Sequence, residues 1–470
     1  MTIAELKLLA GIINSSIATL ERELGSTDFP SLDAAYDPES TAEKALTAEP
    51  VAHALDLIVA ASSQLCASTR APALSILEIT WQNFLSAALD FVCHVNVVEI
   101  LREAGPGGMH VRDMALKTDV DPERLSHALR LCATFHVFRE VSPDVFANNR
   151  LSSTLDTGKS YVDTPPVPSR MTNPHLFTVR RTNTTDMMTL GARSITSQFT
   201  DPSTKNASEP NVTALGRAHG FQGKTMFAWF EEAQNADVRK CFELAMPATT
   251  LWEIPNAIVR GFDWQSLPSG SLVVDVGGNV GNMMMPLHEN FPHLRFEVQD
   301  RKQACETGTK LWNAKYPDAI ASGKMHFRAH DFFAEEPVKD AAVFMLRNVV
   351  HNWPDDYVVK ILSRLRDAAA PSTQLLIVDH ILPYATKSAD AVSDIPGAAI
   401  PEVPEPLLPN LGRASSNAYI IDMCMQVTCN GRDRTVSEHL NVLERAGWKI
   451  VRINRVGKDV RFGYIVAAPA

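Results

Sequence analysis

The chain has 470 residues, enough for two or three structural units at roughly 100–200 residues each. Its 45% hydrophobic and 21% charged content exclude a globally disordered chain. With 54 acidic against 44 basic residues and a net charge of −10, it lacks the positive excess that a nucleic-acid or anionic-membrane surface needs.

The N-terminal 24 residues are helical by periodicity: Leu8, Leu9, Ile12, Ile13, Ile17 and Leu20 recur at threes and fours as one apolar stripe. Glu5 and Lys7 interrupt what a signal peptide would need. No uncharged apolar run approaches the roughly 18 residues of a membrane span. Residues 25–50 open as a loop, and helices resume at 52–68 and 72–94. The second of these has Pro72 well placed for a first turn. Residues 94–150 then follow a winged-helix rhythm: NVVEILREAG, VRDMALKTDV and DPERLSHALRLCATFHV as helices, and a two-stranded wing turning at Ser142-Pro143-Asp144. A DNA-binding regulator is the obvious alternative for such a module. Seven Lys/Arg against eight Asp/Glu between Val95 and Arg150 leave it no basic stripe, so packing or dimerisation is the better reading.

From Leu272 onward short β-rich runs alternate with helices: 272–276, 296–300, 325–331, 342–349, 374–382, 448–453 and 463–468. Such alternation predicts an α/β unit with a mostly parallel, Rossmann-like sheet covered on both faces. Pro354-Asp355-Asp356 starts one of the helices, and Thr435 with Glu438 forms a capping box before another. The Pro- and Ala-rich insertion 383–417 reads as an irregular loop or lid. Seven cysteines, odd in number and without a CxxC pair, fit a reducing, cytoplasmic compartment.

The local chemistry is concentrated at strand ends. Asp275-Val276-Gly277-Gly278-Asn279-Val280-Gly281 is a strand running into a glycine turn, where the backbone can approach a ligand. About twenty residues on, the next strand ends in Asp300-Arg301, a position from which a carboxylate accepts hydrogen bonds from ribose hydroxyls. The third ends in Asp331-Phe332, an acid beside an aromatic face for an adenine. The spacing GGxxG lacks the GxGxxG needed to seat a pyrophosphate, which favours an adenosine ligand without phosphates. His326 and His330 share a strand face without a nearby third ligand, so no metal site is expected.

Taken together and in this order, VVDVGGNVG, FEVQDR, AHDFF, FMLRNVVHNWPDD, LLIVDHILPY and NGRDRT resemble the plant caffeate-type and fungal small-molecule O-methyltransferases across roughly residues 90–470. The resemblance implies a class I methyltransferase domain at 256–470. It also implies an all-helical, winged-helix-containing dimerisation domain at 1–165, with bridging helices at 166–255 building the acceptor pocket. It implies S-adenosylmethionine as cofactor, no metal, a homodimer, and a phenolic or enolic small-molecule substrate of secondary metabolism. By position, Asp275, Gly277, Gly278, Gly281, Asp300, Arg301, Asp331, Phe332 and Arg347 would hold the cofactor. His351 takes the place of the general base, flanked by Asp379 and Asp433. His175, Phe227, Trp229, Met425 and Thr428 would line the acceptor pocket. Three positions depart from the family: Asn279 replaces a glycine, Asn352 an aspartate, and Asp433 often a glutamate. These departures leave open a non-methylating pericyclase or isomerase that keeps S-adenosylmethionine in place.

Overall fold

The computed structural model describes residues 2–163, 184–245, 254, 256–387, 394–399, 402–457 and 462–470. The chain divides into two compact units, Met1–Leu190 with Phe227–Trp252, and Gly191–Met226 with Glu253–Ala470. The stretch 166–255 is divided between the two units.

In the first unit the helix Ile3–Leu24 packs on Glu49–Thr69 through Leu20, Val51 and Ala54. The N-terminal apolar stripe is split. Leu9 and Ile12 are buried, whereas Leu8 and Ile17 face outward at 53% and 44% exposure. The helix Pro72–His94 leaves Ile76, Ile79, Trp81 and Phe84 more than half exposed. By length and composition, Ile3–Leu24 and Glu49–Thr69 are apolar enough to cross a membrane. An unbroken uncharged run is a stricter criterion than the one these helices meet.

The predicted helices Val97–Ala104, Val111–Thr118 and Pro122–Thr134 all form, capped by Gly105, His110 and Asp121 respectively. The hairpin follows as β2 (Arg139–Ser142) and β3 (Val145–Ala147). An unpredicted strand, β1 (Met109–His110), joins β3 and makes the sheet three-stranded in the order β1-β3-β2. Two residues are too few to carry a periodicity, so only the pairing reveals it. Val97, Ile100, Leu125, Leu129 and Phe146 are fully or almost fully buried in the core beneath.

The second unit is built on β4 (Leu272–Val276), β5 (Arg295–Asp300), β6 (Met325–Ala329), β7 (Val343–Arg347), β8 (Gln374–His380), β9 (Trp448–Asn454) and β10 (Phe462–Pro469). They form one sheet in the order β6-β5-β4-β7-β8-β10-β9. The first five are parallel, and β10 runs antiparallel to both neighbours. Because parallel strands are covered on both faces, they read as continuous apolar runs, and β7 is buried along almost its whole length. The chain order reverses its direction of travel between β4 and β7, so the carboxyl ends of those strands frame a crevice.

Part of the 383–417 insertion docks against the outer strand. The Ile453 N–H of β9 donates to Pro396 O at 2.8 Å. Gly397, at φ +78°, lies so close that a Cβ would stand 1.8 Å from Ile453 O. Covering β9 in this way protects an otherwise open edge.

Candidate active site

Beyond β4 the glycine turn is shaped by close approach. Gly277 has φ +77°, and a Cβ there would stand 2.9 Å from Val349 Cγ2 and 3.9 Å from Phe332 Cε1. A Cβ on Gly278 would meet Asp275 Oδ2 at 2.3 Å, and one on Gly281 would meet Trp312 Nε1 at 2.9 Å. Asn279 adopts φ +53°. Asparagine is among the non-glycine residues that best tolerate this left-handed conformation, so the departure from glycine keeps the turn intact. The Asn279 N–H donates to Asp300 Oδ2 at 2.8 Å, and the Arg301 N–H to Asp300 Oδ1 at 2.7 Å. The end of β5 is thereby tied to the turn after β4.

Burial raises the Asp300 carboxyl above its ordinary range, against the pull of those two N–H groups. Burial likewise pushes Asp275 up to about 7, opposed by Arg347. Two desolvated acids beside a glycine-rich turn suit a cationic nucleoside: a nearby positive charge would favour their ionised forms. Phe332 lies near the turn and makes edge contacts with Phe333 and Trp353, at centroid distances of 5.0 and 5.8 Å. Asp331 is exposed, and its Oδ1 caps the Phe333 N–H at 3.0 Å. Arg301 is exposed, whereas Arg347 is half-buried at the end of β7.

After β7 a single 3₁₀ turn, Val350–Asn352, carries His351. His351 is 5% exposed, and Asp379 and Asp433 are as deeply buried. His351 Nδ1 is 3.0 Å from Asp433 Oδ1 and 3.5 Å from Asp379 Oδ1. The His351 backbone N–H also donates to Asp379 Oδ2 at 3.2 Å. Burial alone would lower the imidazole's pKa, but Asp379 and Asp433 outweigh it and push it up to about 9. Burial would raise Asp433, yet His351 and His380 hold it far below the usual carboxylate range. Asp379 remains raised by its burial. Asn352, where the family carries an acid, turns its Nδ2 to Asn348 O at 2.9 Å and so braces its own loop.

His380 completes the group, its Nδ1 3.6 Å from Asp433 Oδ1. Alternation along a strand places it opposite its neighbour Asp379, so sequence reasoning gave it no role. The four residues His351, Asp379, His380 and Asp433 offer ligand atoms within 4.8 Å of one another, near enough to surround a metal ion, although the sequence pointed to none. We assign none of them as a ligand, since hydrogen-bonding contacts already join His351 to Asp433.

The proposed acceptor-pocket residues fare differently. Met425 is half-buried on the helix Ser416–Cys429. Thr428, on the same helix, is fully buried and its hydroxyl donates to Cys424 O at 2.8 Å, so it is directed into its own helix. Phe227 and Trp229 lie in the first unit, in an aromatic cluster with Phe230 and Phe242. His175 lies outside the described residues.

Comparison with known proteins now bears on this geometry. Residues 204–395 match the O-methyltransferase domain family, and residues 78–158 the O-methyltransferase dimerisation domain. The 4-O-methyltransferase 1 of Phanerochaete chrysosporium is 36% identical over 99% of both chains. The chain belongs to the O-methyltransferase family. An O-methyltransferase of Armillaria gallica is also 36% identical, over 96% of this chain and 95% of that one. Among solved structures, a pericyclic reaction enzyme superposes with a TM-score of 0.70 at 15% identity, covering 98% of this chain and all of that one, a likeness of fold alone. The O-methyltransferase takes its methyl group from S-adenosylmethionine, its cofactor.

Proposed function

We propose that this O-methyltransferase methylates a phenolic or enolic hydroxyl of a small secondary metabolite, with His351 as general base. The observation that carries this reading is a buried imidazole held through Nδ1 by Asp433 at 3.0 Å with Asp379 Oδ1 at 3.5 Å, two carboxylates that push its pKa up to about 9. A phenol titrates near 10, so proton transfer to such an imidazole is uphill by only about one unit, or roughly 1.4 kcal/mol. An ordinary imidazole would leave a gap of roughly 3.5 units. With Nδ1 engaged by the carboxylate, Nε2 is the nitrogen left to take the hydroxyl proton.

The bound cofactor supplies an electrophilic methyl group on a sulfonium. The chain's own task is then to hold the acceptor oxygen in line and to remove its proton. In this reading Gly277, Gly278 and Gly281 give the cofactor close backbone approach, and Asp275 and Asp300 carry the matching negative charge. Arg301, Asp331, Phe332 and Arg347 complete that pocket. Met425, on the helix Ser416–Cys429, contributes to acceptor recognition.

The alternative, a pericyclase or isomerase that holds the cofactor without consuming it, draws on the 15%-identical neighbour. Relatives at 36% identity along nearly the whole chain favour methyl transfer instead. A panel of phenols and enols with methyl-labelled cofactor decides between them. Labelled product with stoichiometric S-adenosylhomocysteine is expected; isomerised product without it would establish the alternative.

The match to a dimerisation domain and the outward-facing Ile76, Ile79, Trp81 and Phe84 support a homodimer, since contiguous exposed apolar surface marks association sites. Sedimentation should give twice the chain mass; a single-chain mass, or recovery only with membranes, would refute it. The helices and hairpin that suggested a DNA-binding reading fall within the dimerisation match, which supports an association role for them instead.

A further inference from the structure

We propose that Arg434 and Gly431 are positioning residues that clamp the turn bearing His351 against its two carboxylates; this rests on His351 being the base. The Arg434 side chain is wholly inaccessible. Its Nε and Nη2 both donate to Asp355 Oδ1, at 3.0 and 2.7 Å. Its Nη1 donates to Val350 O at 3.0 Å and Arg432 O at 3.1 Å, and Nη2 also donates to Trp353 O at 2.8 Å. Two of these acceptors, Val350 O and Trp353 O, bracket His351 in sequence. A planar guanidinium spans such divergent acceptors in one fixed geometry, which an ammonium cannot reproduce.

Gly431 works from the other end of the same loop. A Cβ there would stand 2.1 Å from His351 O and 2.6 Å from Asn352 C, both backbone atoms that cannot swing aside. Its φ lies outside the left-handed region, so glycine is required here for closeness and not for conformation. The loop is anchored just beyond the end of β8 as well: Leu382 N–H donates to Arg434 O at 3.0 Å, and Ile381 bridges Arg434. One short loop thus binds together the His351 turn, the strand end carrying Asp379 and His380, and Asp433 itself. A mere stability role would need no such convergence on the carbonyls flanking one imidazole.

Among the described residues, the charged and titratable groups around the His351 ring are Asp379 and His380 from β8, and Asp433 and Arg434 from the loop. Arg434 opposes protonation of His351, while Asp379 and Asp433 favour it. Charge and geometry can therefore be separated by three variants, assayed with a phenol that the wild type methylates. Arg434→Lys keeps the charge and loses the fork; kcat should fall on the order of 10²-fold with the acid limb of its pH profile unmoved. Gly431→Ala should behave likewise. Arg434→Met removes the charge too, and its acid limb should move to higher pH. Cofactor affinity, measured by calorimetry, should change less than about threefold in each, because the turn after β4 is untouched. If Arg434→Met fails to fold, the other two variants carry the test. Folded Arg434→Lys and Gly431→Ala proteins with wild-type kcat would overturn the clamp. His351→Gln in the same assay separates the two claims. Full turnover in that variant removes the base and the clamp with it. An inactive His351→Gln beside wild-type-like Arg434→Lys and Gly431→Ala removes the clamp alone.

Discussion

Replacing His351 by alanine is expected to lower kcat for a phenolic acceptor by about 10²–10⁴-fold, the usual contribution of a positioned proton acceptor. The physical reason is the placement of the ring: buried, held through Nδ1 and aimed by two carboxylates. The cofactor turn after β4 approaches Val349 and Phe332, and among the described residues the imidazole is hydrogen-bonded to Asp433, away from that turn. Affinity for S-adenosylmethionine should therefore stay within about threefold of wild type. Removing the ring also leaves Asp379 and Asp433 buried beside each other without their cation, so a fall in thermal stability is expected alongside. Turnover and cofactor binding should be measured on the same folded preparation. A variant that binds the cofactor and still turns over at the wild-type rate would show that the proton leaves by another route.

Asp433→Asn should change the shape of the pH profile as well as its height. In the wild type, His351 must lose a proton with a pKa of about 9 before it can act, so the free-enzyme rate should climb through that pH. At neutral pH most of the rings are therefore protonated. Asparagine removes one of the two charges that hold the proton, so the acid limb moves to lower pH. At the alkaline plateau the rate should fall, because the imidazolium formed during proton removal loses a buried counter-charge. Stability follows with the opposite sense for the two partners. His351 has a raised pKa, so its contribution is fully present below about 6.5 and is lost as pH rises through about 9. Asp433 has a depressed pKa, so its contribution is present above the ordinary carboxylate value and is lost as pH falls toward its folded value. Breaking this buried pair should cost on the order of a few kcal/mol at neutral pH. An unmoved acid limb in Asp433→Asn would mean that the carboxylate does not set the proton affinity of His351.

The strands of the second unit were legible because burial on both faces writes itself as runs such as LLIVD and VFML, and their ends carried Gly277, Asp300 and Asp331. The capping box at Thr435 and Glu438 was equally readable and is present, because it depends on residues three apart. Local signals failed where the partner is distant in sequence. Leu8 and Ile17 belong to the same periodic pattern as Leu9 and Ile12, yet only the packing of Glu49–Thr69 decides which pair is covered.

Sequence alone determined the order of the elements and the glycine turn, which are properties of short segments, set by periodicity and by backbone freedom at glycine. The imidazole and its two acids were indicated only by the resemblance to the O-methyltransferases. Tertiary structure decided what those groups are worth. Only folding brings Asp379 and Asp433 from 28 and 82 residues away to the same Nδ1. Only folding adds His380 and locks the turn with Arg434. Proton affinity depends on distance and desolvation, and neither is written in a linear chain.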